Sequence, residues 1–126
     1  MDFIDYKDLE FRSDLRTRIK IKLSITDEEQ DDLLDILSDD AYSYMMIYFD
    51  GKVPLDLQFI MENVVVKRYR RLGAEGIAIE KIDVLSTTYE SGDDFAEYFD
   101  IMQYYKNKYY DQNAADNKPR LGFRFF

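Results

Sequence analysis

Apolar positions recur along the chain with helical spacing. Phe11, Leu15, Ile19 and Leu23 stand four apart, predicting a first helix from about Asp8 to Leu23 with one apolar stripe. The end of this stretch also fits a half-buried strand, because Ile19, Ile21, Leu23 and Ile25 alternate with Lys20, Lys22 and Ser24. Thr26-Asp27-Glu28-Glu29 has the form of a capping box, with acids suited to the positive end of a helix dipole, so a second helix is expected from there. Its stripe is Leu33, Leu37, Ala41, Tyr44, Met45 and Tyr48, and Asp50-Gly51 ends it. Pro54 lies near the start of a third helix, where a missing amide costs little. Leu57, Ile60, Met61, Val64, Val65 and Tyr69 form its buried face, and Gly73 and Gly76 close it.

Between Ile77 and Tyr89 the pattern favours extended structure, read as a long loop or β-hairpin. Ser91-Gly92-Asp93 leads into a last helix with a broad aromatic face of Phe95, Tyr98, Phe99, Met102, Tyr105 and Tyr109. The expected fold is therefore all-α: a compact four-helix subunit, a long loop or hairpin between helices three and four, and an extended C-terminal tail. The corresponding division is a helical unit of residues 1–111 and a partner-binding tail of residues 112–126.

At 126 residues, 46% of them apolar, the chain can form one modest core without metal or disulfide. Its net charge of −9 comes from one place. Thr26 to Asp50 holds nine carboxylates and no Lys or Arg, and the other 101 residues carry 17 acids and 17 bases. A surface built from Asp27, Glu28, Asp31, Asp32, Asp35 and Asp39 repels a phosphate backbone. It suits a wall past which DNA slides, or a patch for a partner. Asp27, Asp31 and Asp35 share a helical face, but nothing resembles a calcium loop, so no metal site is expected.

The chain has neither Cys nor His. That removes the commonest transition-metal ligands, the thiolate nucleophile and the commonest general base near neutral pH. Asp39 and Asp40 cannot serve as an acid/base pair, because adjacent helix positions diverge. No enzyme activity and no cofactor are expected. No run of about 18 apolar residues is present, and the acidic start Met1-Asp2-Phe3-Ile4-Asp5 is unlike a secretory signal. A soluble chain with no membrane partner is the expectation.

Lys67, Arg68, Arg70 and Arg71 complement a helix C-terminus, and they also offer a cationic face to the acidic helix of an identical neighbour. Complementary faces on one subunit give head-to-tail contacts that close into rings. The loop from Ile77 to Tyr89 is long for so small a domain and suits an intersubunit or partner contact. The end, Pro119-Arg120-Leu121-Gly122-Phe123-Arg124-Phe125-Phe126, combines cations with three Phe, surface better buried in a docking site than left in water.

The opening Thr26-Asp27-Glu28-Glu29-Gln30-Asp31-Asp32-Leu33-Leu34, the run Val64-Val65-Val66-Lys67-Arg68-Tyr69-Arg70-Arg71-Leu72-Gly73-Ala74-Glu75-Gly76 and the stretch to Tyr89 resemble the head-tail connector (adaptor) proteins of siphophages over about residues 15–110. The resemblance implies a virion structural protein at the head-tail interface, assembled in the host bacterial cytoplasm. It implies a ring, usually of twelve copies, beneath the portal protein, extending a channel through which DNA passes without specific binding. The far side of such a ring meets a stopper or tail-completion protein. Carried over by residue, the Arg68 to Gly76 run, with Glu75, lies at a ring contact. Arg120, Leu121, Phe123, Arg124, Phe125 and Phe126 form the portal-gripping end. The rival reading is an acidic binding module, a DNA mimic or antitoxin-like inhibitor acting one-to-one on a basic partner.

Overall fold

The structure, a computed structural model, describes residues 2–73 and 91–114. These form four α-helices and no strand: α1 Leu9–Leu23, α2 Asp31–Tyr48, α3 Gln58–Gly73 and α4 Phe99–Ala114. A 3-10 turn, Leu55–Leu57, leads into α3, and a longer 3-10 helix, Ser91–Tyr98, leads into α4. The all-α expectation holds. The loop or hairpin of 77–89, Glu75, Gly76 and the tail 115–126 lie outside the described residues.

Helix α1 starts where its stripe predicts, with the Asp8 carboxylate accepting from the Glu10 amide. Its end decides between the two patterns read there. The stretch is helical through Leu23, and Ser24 turns left-handed at φ 60°, so that its amide and that of Ile25 donate to the carbonyls of Ile21 and Lys20. Burial of Leu15 and Ile19 on one helical stripe outweighs the strand-like alternation.

The capping box does not form. The Asp27 carboxylate takes the Glu29 amide at 3.0 Å, which closes a local turn instead, and α2 begins only at Asp31. Once started, α2 buries Leu33, Leu34, Leu37, Ala41 and Met45. It stops as expected at Asp50-Gly51, both at positive φ, with the Gly51 amide donating to Met46. Gly51 sits at φ +90° with open space where a Cβ would go. Gly51→Ala is therefore expected to destabilise by about 1 kcal/mol through backbone strain alone, read as a lowered urea midpoint at unchanged slope.

The core lies where α1, α2 and α3 meet, closed by Phe95 and Met102 from the last segment. Helix α3 contributes Ile60, Met61, Val64 and Val65. The fourth helix departs from expectation at its start, because Ser91–Tyr98 is wound as 3-10 and α4 proper begins at Phe99. Of the predicted aromatic face, Phe95 and Met102 are buried, Tyr98 and Tyr105 pack partly against the core, and Phe99 is exposed. Phe99 lies parallel to Tyr48 at 6.5 Å. The side chain of Tyr109 lies outside the described set.

The N-terminal residues form an unpredicted clasp. Ile4 donates to the Val53 carbonyl and Leu55 to the Asp2 carbonyl, each at 2.8 Å, which pins the approach to α3. Phe3 and Pro54 form the bridge between the two segments.

Candidate functional site: ion-paired helix faces and exposed patches

Three sets of ion pairs organise the surface, and each uses residues that the sequence marks as candidates for contacts with partners. The first joins α1 to α2. Arg12, Arg16 and Lys20 stand four apart on α1, and Asp39, Asp35 and Asp31 stand four apart on α2. Antiparallel packing aligns them as a ladder with closest approaches of 3.2, 2.9 and 2.8 Å. The middle rung is a two-point fork, with Arg16 Nε and Nη2 donating to the two oxygens of Asp35. This fork raises the Arg16 pKa. Tyr6 caps the ladder by donating its hydroxyl to Asp39 at 2.5 Å while stacking on Tyr42 at 4.3 Å. Burial, followed by the Asp39 carboxylate, pushes the Tyr6 pKa up.

Half of the predicted acidic face thus braces the subunit. Asp31, Asp35 and Asp39 are held by α1, while Asp27, Glu28 and Asp32 are exposed on and beside the turn that precedes α2. Among the described residues, no three carboxylates are grouped to hold a metal ion.

The second set binds the end of α3 to the 3-10 helix. Asp94 is 5% exposed. It receives Arg68 Nε at 2.8 Å and both terminal nitrogens of Arg71, at 2.9 and 3.3 Å. Lys67 reaches Glu97 at 2.9 Å and the Asp94 carbonyl at 3.4 Å. Burial opposes the Asp94 charge, but the two guanidiniums prevail and hold its pKa below the usual carboxylate value. Lys67, Arg68 and Arg71, read from sequence as cations for a neighbour, are engaged within the chain, and Arg70 is exposed. Arg68 also lies 5.8 Å from the ring of buried Phe95, which stacks on Tyr44 at 4.4 Å.

The third set centres on Glu62, which sequence reasoning missed. Its residue is 0% exposed. Arg18 Nε donates to Oε2 at 2.6 Å, Gln58 donates to the same oxygen at 2.9 Å, and Lys22 Nζ approaches Oε1 to 2.8 Å. Burial pushes toward the neutral acid, but these three donors outweigh it and the Glu62 pKa is lowered. The available signal was a lone Glu inside the apolar run Ile60-Met61-Glu62-Asn63-Val64, opposite bases at i and i+4 on α1.

No described helix is long and apolar enough to cross a membrane. The sequence model of the phage gp6-like head-tail connector proteins matches residues 16–106, which span α1 from its second turn, α2, α3 and half of α4. The chain belongs to this family. Neither the curated proteins nor the solved structures contain a match. As a phage head-tail connector, the chain is a structural component of the virion, and its ion-braced helices are the body of a connector subunit. The matched stretch includes the acidic turn, all three ion-paired sets and the α3 terminus; residues 107–126, with the aromatic cationic end, follow it.

Proposed function

We propose that this connector is an adaptor subunit. Twelve copies form a ring beneath the portal protein, continue the DNA channel, and present their far side to a stopper or tail-completion protein. The mechanism is binding and geometry, with no bond made or broken. The observation that carries this reading is the family match over residues 16–106. The ion pairs support it, because they give a rigid body without spending the exposed acids Asp27, Glu28 and Asp32. These three form the wall that repels the phosphate backbone, so DNA passes without sticking, and Asp31, Asp35 and Asp39 brace them from behind.

In this proposal Arg70 and Glu75 meet a neighbouring copy, and Lys67, Arg68 and Arg71 hold that edge in place through Asp94 and Glu97. Arg120, Leu121, Phe123, Arg124, Phe125 and Phe126 insert into the portal. Assembly takes place in the host cytoplasm, before the particle is complete.

The test is removal of residues 119–126. Burying a Phe is worth roughly 1.5–3 kcal/mol, so losing two or more anchors is expected to weaken portal binding by at least about 100-fold. Binding is measured by light scattering of portal and connector together, with circular dichroism checking that helix content is kept. Unchanged portal affinity after truncation overturns the tail's role. A chain that stays monomeric and ignores the portal overturns the adaptor reading.

A further inference from the structure

Two aliphatic side chains stand out on the helical surface: Ile21 on α1 is 71% exposed and Ile47 on α2 is 78% exposed. Single exposed aliphatics are ordinary, but each of these is framed by charge, and the frames have opposite sign. Ile21 lies one turn from Arg18 and beside Lys22. Glu62 engages Arg18 through Nε, which fixes the direction of a guanidinium whose side chain remains 57% exposed. Ile47 closes a stripe with Asp40 and Ser43 at i+3 and i+7 spacing, all three exposed, and Asp50 follows just beyond the helix end. The last turn of α2 contains no base, so the negative end of its dipole also lacks a cation from its own turn.

The two patches lie at opposite ends of the α1/α2 pair. Lys20, next to Ile21, is bound to Asp31 at the start of α2. Ile47 is sixteen residues further along that helix, on the order of 24 Å away at 1.5 Å per residue. A complementary pair of patches at opposite ends cannot be satisfied within one subunit. It is satisfied head-to-tail between copies.

We propose that the α2 patch of one connector, Asp40, Ser43 and Ile47, docks on the α1 patch of a second copy, Arg18, Ile21 and Lys22, as the repeating contact of the assembly. This rests on the adaptor reading and adds the surface through which copies meet. The Lys67 to Arg71 cluster, largely engaged within the chain, is not the main cationic partner in this contact.

The absence of Cys from the sequence makes the contact directly readable. Phage particles are prepared with the connector carrying Ile21→Cys, Ile47→Cys, or both, and treated with a short bis-maleimide before a denaturing gel. The double variant is expected to give a ladder of linked multimers, and each single variant only monomer. The separation of the two sites excludes a bridge within one chain. Dimers from a single variant indicate a symmetric contact and overturn the proposal, as do monomers from particles that contain the double variant. If particles exclude that variant, the same gel on the purified double variant at high concentration decides between ladder and monomer. Particles that lack even the wild-type chain overturn the adaptor reading itself, and the proposed contact falls with it.

Discussion

Asp94→Ala is expected to lower the unfolding free energy by on the order of 3–5 kcal/mol, because it leaves a mostly buried guanidinium without its counter-charge. The Arg68 side chain is only 12% exposed and donates to Asp94 through Nε, so it cannot be rehydrated without withdrawing from Phe95 and the end of α3. Arg71 is freer and loses less. The same substitution made together with Arg68→Met and Arg71→Met is expected to cost much less, since no charge is then stranded. Urea unfolding of the single and triple variants measures the difference, and equal losses would mean that Asp94 acts through packing alone. Acid is expected to have a related effect. The folded-state pKa of Asp94 is lowered, so its contribution is complete above its unfolded value of about 3.9. It disappears as pH falls through the folded value.

Much of this architecture is legible in the residues because it depends on local spacing. The stripes Leu15-Ile19, Leu33-Leu37-Ala41 and Ile60-Val64 each place one buried face, and the body follows from stacking them. The α1/α2 ladder was half legible. Asp27, Asp31 and Asp35 are visible as one helical face, but which triad is used depends on the register between two helices. Packing selects Asp31, Asp35 and Asp39, against bases with the same four-residue period. The Thr26 capping box fails because a side chain one residue away offers the Glu29 amide a competing bond. The α3 cluster shows the other limit. Lys67 to Arg71 read as an outward-facing patch because their partners, Asp94 and Glu97, are more than twenty residues away, beyond the reach of any helical periodicity. Such long-range pairing is what separates an interior brace from an exposed interface.

Glu62 gives the second large effect, and there the asymmetry between its partners decides the sign. Glu62→Leu removes a carboxylate whose main partners, Arg18 and Lys22, can turn to water, so only a modest loss is expected. Replacing Arg18 and Lys22 together by Met instead leaves Glu62 ionised and uncompensated in the interior, which costs on the order of 3–5 kcal/mol near neutral pH. The two cases also differ in pH dependence. In the wild-type chain the folded pKa of Glu62 is lowered, so its contribution is complete above the unfolded value of about 4.3. That contribution is lost as acid drives the pH through the folded value. Without Arg18 and Lys22, burial alone acts on Glu62 and raises its pKa, so this variant is expected to regain stability relative to wild type as pH falls from 7 toward 4. Combining all three substitutions removes the charge together with its partners and should recover most of the loss at pH 7. Thermal unfolding of the four proteins at pH 7 and pH 4 reads both signs. A double variant whose deficit is the same at the two pH values would show that Glu62 is not held as a buried anion.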